Sequence, residues 1–173
     1  MFFLKNLTHT ILLHPQYFGP NIQACLIRRL HDEVEGTCSG RFGFIISVIE
    51  ITSISRGMLH PTSGFAEFKI EYKAIVFKPF KNEVVDGIVT SVNKMGFFVE
   101  VGPVTVFVSN HLIPEDMKFD PNSNPPSYIS VGAENQQRIA NNVNVRLKIV
   151  GTRVDATEIF AIGTIKEDYL GCI

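Results

Sequence analysis

Tryptophan is missing from these 173 residues, cysteine occurs three times, and charged residues make up only 19%. Cys25, Cys38 and Cys172 are odd in number and far apart, which excludes a disulfide framework or a zinc knuckle and fits a reducing compartment. No run approaches the roughly 20 apolar residues of a membrane span. The opening MFFLKNLTHTILLHP also lacks the basic-then-apolar layout of a secretory leader. A soluble, intracellular protein without a membrane partner is expected. Sixteen basic against 17 acidic side chains favour no class of partner by charge, and no block of five to eight basic residues marks a nuclear import signal.

Signals for catalysis are also scarce. His9, His14, His31, His60 and His111 never approach a metal-binding spacing, and no acidic cluster completes one. Gly36, Gly40 and Gly43 neither end in GKS or GKT nor match GxGxxG, and a helix stop followed by a turn accounts for them. Asp32, Glu33 and Glu35 read as a solvated helix end. The sequence therefore predicts no enzyme, no cofactor and no metal. What it has in quantity is phenylalanine: 14 Phe and 4 Tyr within a 45% hydrophobic composition. That is ordinary globular matter, and on a weakly charged surface rings can also bind nucleic-acid bases by stacking.

Residues 3–13 read as a strand, broken by Pro15, Gly19 and Pro20. A helix is predicted over 20–35, with Pro20 in its first turn, Ile22, Leu26, Leu30 and Val34 as one apolar stripe, and Gly36 past its end. An apolar run over 44–51 leads into a polar loop over 53–64. From Ala66 to Val76, apolar and charged residues alternate with period two, and Ile75 and Phe77 then make both faces apolar. Pro79 marks a boundary, dividing the chain into domains 1–80 and 81–173.

The second domain reads as strands at 83–92, 97–101, 104–109, 143–150 and 157–165, antiparallel and closed into a small barrel. A Pro-, Asn- and Ser-rich stretch over 114–142 is long for a compact domain and suggests a functional or partly ordered insertion. Five strands with that insertion follow the plan of the OB-fold, which gives an α+β chain overall. Parity puts Phe97 inside and Phe98 outside, Phe107 outside, and Arg146 and Lys148 outside. With Lys94 in the neighbouring turn, these residues would make a stacking platform with cations for phosphates. The competing reading is that the insertion or a partner covers both rings. Residues 81–173 carry eight basic and eleven acidic side chains, so sequence-tolerant and salt-sensitive RNA binding is expected.

HPQYFGP at 14–20, EVEGTCSGRFGF at 33–44, VFKPFKNEVVDG at 76–87, NPPSY at 124–128 and IGTIKEDYLG at 162–171 together resemble the family of the seventh, stalk-forming subunit of eukaryotic RNA polymerase II. The resemblance spans essentially the whole chain, and counterparts in polymerases I and III and in archaea share the layout. It implies a small α/β tip domain that docks on the polymerase core near the clamp, followed by an OB barrel that receives the nascent RNA. It also implies the fourth polymerase II subunit as an obligate partner, and a place in the nucleus. Met95, Phe98 and Phe107 match the barrel family's RNA-contacting positions, although an aromatic is usual where Met95 stands. Asn82 stands where stalk relatives usually have glycine. Core contacts, by the same resemblance, fall on Pro15, Gly19 and Pro20 and on Gly57, His60, Pro61 and Gly64. A free-standing RNA-binding factor in translation or RNA decay is the alternative that the barrel by itself leaves open.

Overall fold

Alternation along Ala66–Phe77 makes the strand around which the first part of the chain assembles. The computed structural model describes residues 1–130, 137–155 and 157–173. Two units separate, Met1–Lys78 and Pro79–Ile173.

The first unit contains β1 (Phe2–Leu13), α1 (Ile22–Val34), β2 (Cys38–Ser39), β3 (Gly43–Ile54), β4 (Met58–Leu59) and β5 (Ala66–Phe77). Its sheet has the order β1-β5-β3-β2, and β4 also pairs with β5. Ala66, Ile70, Tyr72, Ala74 and Val76 of β5 are buried, whereas Lys69 and Glu71 stay exposed. Phe77 is buried as well and meets the Phe2 ring edge-on at 5.0 Å. Leu26, Leu30 and Val34 of α1, one helical turn apart, join Leu7, Ile11 and Leu13 of β1 in the core.

Two boundaries differ from the sequence expectation. The helix starts at Ile22, not in the turn of Pro20, because the Ile22 amide bonds back to the Gly19 carbonyl at 3.2 Å and holds Pro20 and Asn21 in a turn. The stretch 53–64 is not all loop, since β3 runs to Ile54 and Met58–Leu59 pair with Glu67 and Ala66. At the other end of α1, the Glu35 carboxylate accepts from the Val48 amide at 2.8 Å and the Ser47 hydroxyl at 3.1 Å, and lies 2.9 Å from His31 Nδ1. The Val48 amide above all, then His31, holds this carboxyl below its ordinary pKa and ties the helix end to β3.

The second unit contains β6 (Val84–Asn93), β7 (Gly96–Val101), β8 (Val104–Ser109), β9 (Met117–Asp120), β10 (Ser127–Ser130), β11 (Arg138–Ile139), β12 (Asn144–Val154), β13 (Ile159–Thr164) and β14 (Gly171–Cys172). Strands β6, β7, β8, β13 and β12 close into a five-stranded barrel, because β13 pairs with both β8 and β12. Val85, Val89, Phe97, Val99, Val106, Val108, Val145, Leu147 and Ile149 are buried within it. The sequence led to the expectation of a wholly antiparallel barrel, and the structure corrects it: β8 and β13 run parallel. A closed ring of five strands cannot alternate direction all the way round, so one neighbouring pair must share a direction. Asn82, just before the barrel, takes the left-handed φ of 67° that a glycine would take.

The stretch 114–142 carries its own antiparallel sheet of order β11-β10-β9, with residues 131–136 outside the described ones. Its anchor is Tyr128, buried with its ring 6.2 Å from Phe97 and 5.5 Å from Phe119.

Candidate nucleic-acid interface

Gly96 sets the side-chain parity of β7. It pairs with Ser109 at a φ of 147°, and from there Phe97 points into the core while Phe98 points out. Phe98 lies directly across from Phe107 on β8, and the two half-buried rings tilt against each other at 4.9 Å between centroids and 43° between planes. Mutual contact hides one side of each ring and leaves an apolar edge on the outer face. This pair sits beside the turn that joins β6 to β7, where Lys94 is exposed and Met95 is 73% exposed.

That turn is built rather than loose. The Met95 amide donates to Asn93 Oδ1 at 3.0 Å, and the Asn110 amide donates to the Met95 carbonyl at 2.9 Å. The Tyr128 hydroxyl reaches the Asn93 carbonyl at 2.9 Å and the Lys94 carbonyl at 3.3 Å. The insertion thus clamps the turn that carries Lys94. Sequence reading missed this role of Tyr128, for which the lone aromatic in NPPSY was the one available signal.

Two of the predicted cations are engaged elsewhere. Arg146 is outward on β12, as parity predicts, but its guanidinium makes a bidentate pair with Asp86 at 2.7 and 2.8 Å. The hydrogen bond from Arg146 lowers the Asp86 pKa, and Asp86 raises that of Arg146 in return. Lys148 likewise holds both Glu167 oxygens, at 2.8 and 2.9 Å. Neither is an unengaged phosphate ligand, because each carries its own counter-charge. Lys94 has no carboxylate partner among the described residues.

Beyond the two predicted rings, β13 adds two outward apolar side chains, Phe160 and Ile162, each 47% exposed. Their signal in the sequence is the parity of EIFAIGTI, where Ile159, Ala161 and Gly163 are the inward set. Among the described residues no three His, Cys, Asp or Glu side chains gather as a metal site.

In the first unit, the two loops predicted for docking lie at one end of the sheet. Pro15 starts a 3-10 turn, Gly19 and Pro20 follow it exposed, and Gly57, Pro61 and Gly64 are exposed on the facing loop. His60 is half-buried with Nε2 3.0 Å from Glu67. The loops meet where the His14 ring packs edge-on against Phe65 at 5.2 Å. Exposed Tyr17, Phe18, Met58 and Leu59 accompany these residues, and the sequence reading did not single them out.

Known proteins resemble each unit and the whole chain. The family model described as the SHS2 domain found in the N terminus of Rpb7p/Rpc25p/MJ0397 matches residues 8–64, and the S1 RNA binding domain model matches residues 78–161. The DNA-directed RNA polymerase II subunit rpb7 of Schizosaccharomyces pombe is 58% identical, with 99% of each chain covered. Its counterpart in Saccharomyces cerevisiae is 49% identical over the full length of both. The archaeal DNA-directed RNA polymerase subunit Rpo7 of Sulfolobus acidocaldarius is 26% identical over all of this chain and 93% of its own.

Proposed function

The chain belongs to the family of RNA polymerase II subunit Rpb7, and from that membership we propose that it is a non-catalytic stalk subunit of DNA-directed RNA polymerase II that binds nascent single-stranded RNA. In this reading the first unit docks on the polymerase core near the clamp through Pro15, Gly19, Pro20, Gly57, His60, Pro61 and Gly64. The exposed apolar side chains Tyr17, Phe18, Met58 and Leu59 beside them support docking, since burying such residues is the main favourable term in stable association. The fourth subunit is the heterodimer partner, and the complex works in the nucleus, entering as a passenger of other subunits.

One observation carries the RNA half of this reading: two rings on neighbouring strands, tilted together at 4.9 Å, beside a turn held rigid with Lys94 and Met95 exposed. Stacking is worth about 1 to 3 kcal/mol per base, so such a platform gives moderate affinity without sequence preference. Tagged chain recovered from extract with its stoichiometric partners provides the test. Phe98→Ala combined with Phe107→Ala should lower crosslinking to nascent RNA at least tenfold while the same polymerase subunits co-purify. Unchanged crosslinking would remove the platform, and recovery with ribosomal or decay factors in place of polymerase would remove the assignment.

A further inference from the structure

A cavity of about 430 Å³ opens in the first unit, where the edge strand β1 passes the C-terminal end of α1 and the segment that follows it. Ligand sites run from about 300 to 1,000 Å³, so the volume suits a small molecule. Leu7, Val34, Phe42 and Ile45 give it apolar walls, and Tyr72 of β5 lines it from the sheet. Tyr72 lies across from Leu7 and is only 3% exposed. Unlike the Tyr128 hydroxyl, the Tyr72 hydroxyl has no hydrogen-bond partner among the described residues. Every fully enclosed side-chain nitrogen or oxygen among those residues does have a partner. The Tyr72 hydroxyl is therefore not fully enclosed, and the open space it lines is the cavity. A buried hydroxyl is costly until something bonds to it, which makes this one a ready contact for a ligand.

Charge decides the kind of ligand. Among the described residues no lysine or arginine lines the cavity, and Arg41 beside it lies over the Phe42 ring at 5.2 Å. Glu33 does line it, and His9 Nε2 holds only one of its oxygens, Oε2, at 3.1 Å. The end of α1 adds partial negative charge to the same wall. An anion is repelled there and a cation attracted. His9 pairs with Ile70 and Leu7 with Tyr72, so His9 and Tyr72 are diagonal neighbours, about 7–8 Å apart in such pairs. One small molecule can thus reach both the Tyr72 hydroxyl and the carboxylate beside His9. We propose that this cavity binds a small aromatic amine, its ring against Leu7, Val34 and Phe42, a polar ring substituent at the Tyr72 hydroxyl and its ammonium at Glu33. Burial raises the Tyr72 pKa, so the hydroxyl keeps its proton and can donate as well as accept. None of these residues belongs to the docking loops or to the barrel, so the inference is independent of the stalk and RNA readings.

The test uses the full chain with its co-purified partner, methyl-labelled at isoleucine, leucine and valine, and tyramine as the probe. Tyramine should shift the methyl signals of Leu7, Val34 and Ile45 with a dissociation constant of about 1 mM. Phenethylamine, which lacks the phenol oxygen, should bind about fivefold more weakly. The anion 4-hydroxyphenylpropionate should leave the same signals in place. Glu33→Gln should weaken tyramine about tenfold, and Tyr72→Phe should weaken it about fivefold and abolish its advantage over phenethylamine. Tyr72→Phe removes no hydrogen bond within the chain, so its thermal midpoint should equal or exceed the parent's. A lowered midpoint would reveal an internal partner for the hydroxyl and overturn the proposal. It is equally overturned if the anion binds as well as the amine, if the shifts fall only on methyls of the second unit, or if tyramine moves none of the three signals, as it would if the co-purified partner fills the cavity.

Discussion

Gly96→Ala is expected to lower the stability of the barrel by several kcal/mol and to take RNA binding with it. The φ of 147° lies in a region that residues with a Cβ rarely adopt. A Cβ there would collide with the Val108 carbonyl oxygen and come within 3.0 Å of the Ser109 Cα. Both obstacles are backbone, so no side-chain rotation relieves them and β7 must move off β8 at their first pairing, Gly96 with Ser109. Backbone strain of about 1–3 kcal/mol adds to overpacking of about 1–3 kcal/mol. Against a domain stability of about 5–15 kcal/mol that is a large fraction. A urea titration followed by far-ultraviolet circular dichroism reads it, and a midpoint equal to the parent's would contradict the close approach described for this turn. The same displacement shifts Phe97 and Phe98 together, which is why the RNA readout should fail at conditions where the barrel is still folded.

Tyr128→Ala should be comparably damaging, and comparison with Tyr128→Phe separates its two causes. Removing the ring leaves a void between Phe97 and Phe119, and deletion of a buried aromatic costs about 3–5 kcal/mol. Tyr128→Phe keeps the ring and loses only the hydroxyl that reaches the carbonyls of Asn93 and Lys94, a change of about 1 kcal/mol. The phenylalanine variant should therefore stay folded while amide exchange quickens at Lys94 and Met95 and oligouridine binding weakens by a few fold. Unchanged exchange there would mean that the turn holds itself without the insertion. Burial already raises the Tyr128 pKa, so the hydroxyl remains a donor throughout the neutral range.

Much of the architecture was legible because it follows from period. The alternation in Ala66–Val76, the spacing-four stripe of α1 and the Val-rich strands of the barrel each satisfy one geometry and contradict the other. Parity along FFVEV and VTVFV was enough to separate Phe97 from Phe98 and to turn Phe107 outward. What could not be read were pairings between segments distant in sequence. Nothing in RLK announces that Arg146 meets Asp86 or that Lys148 meets Glu167, since Asp86 is brought in by the pairing of β12 with β6 and Glu167 by the turn that follows β13. The parallel contact of β13 with β8 was hidden for the same reason, and with it the extension of the apolar surface to Phe160 and Ile162. The 114–142 stretch read only as a functional or partly ordered insertion because its strands are two to four residues long, too short to show a period. Helix α1 started late because the Gly19 carbonyl captured the Ile22 amide, a local choice that helix propensity does not encode.

Closure of the barrel through a parallel pair also has a kinetic meaning. β8 ends at Ser109, whereas its neighbour β13 begins only at Ile159, after the whole insertion and β12. During synthesis the β6–β8 meander can form from adjacent segments, but the edge of β8 stays without its neighbour until the ribosome has released β13. A pairing so distant in sequence carries a large entropy cost before any contact rewards it. The nascent chain therefore passes through an interval with an open sheet edge and Val106 and Val108 unsheltered, the state in which wrong strand pairing is easiest. Ribosome-stalled chains truncated before Ile159 and after Thr164, each extended by a flexible linker long enough to fill the exit tunnel, would show that interval as a sharp drop in protease sensitivity.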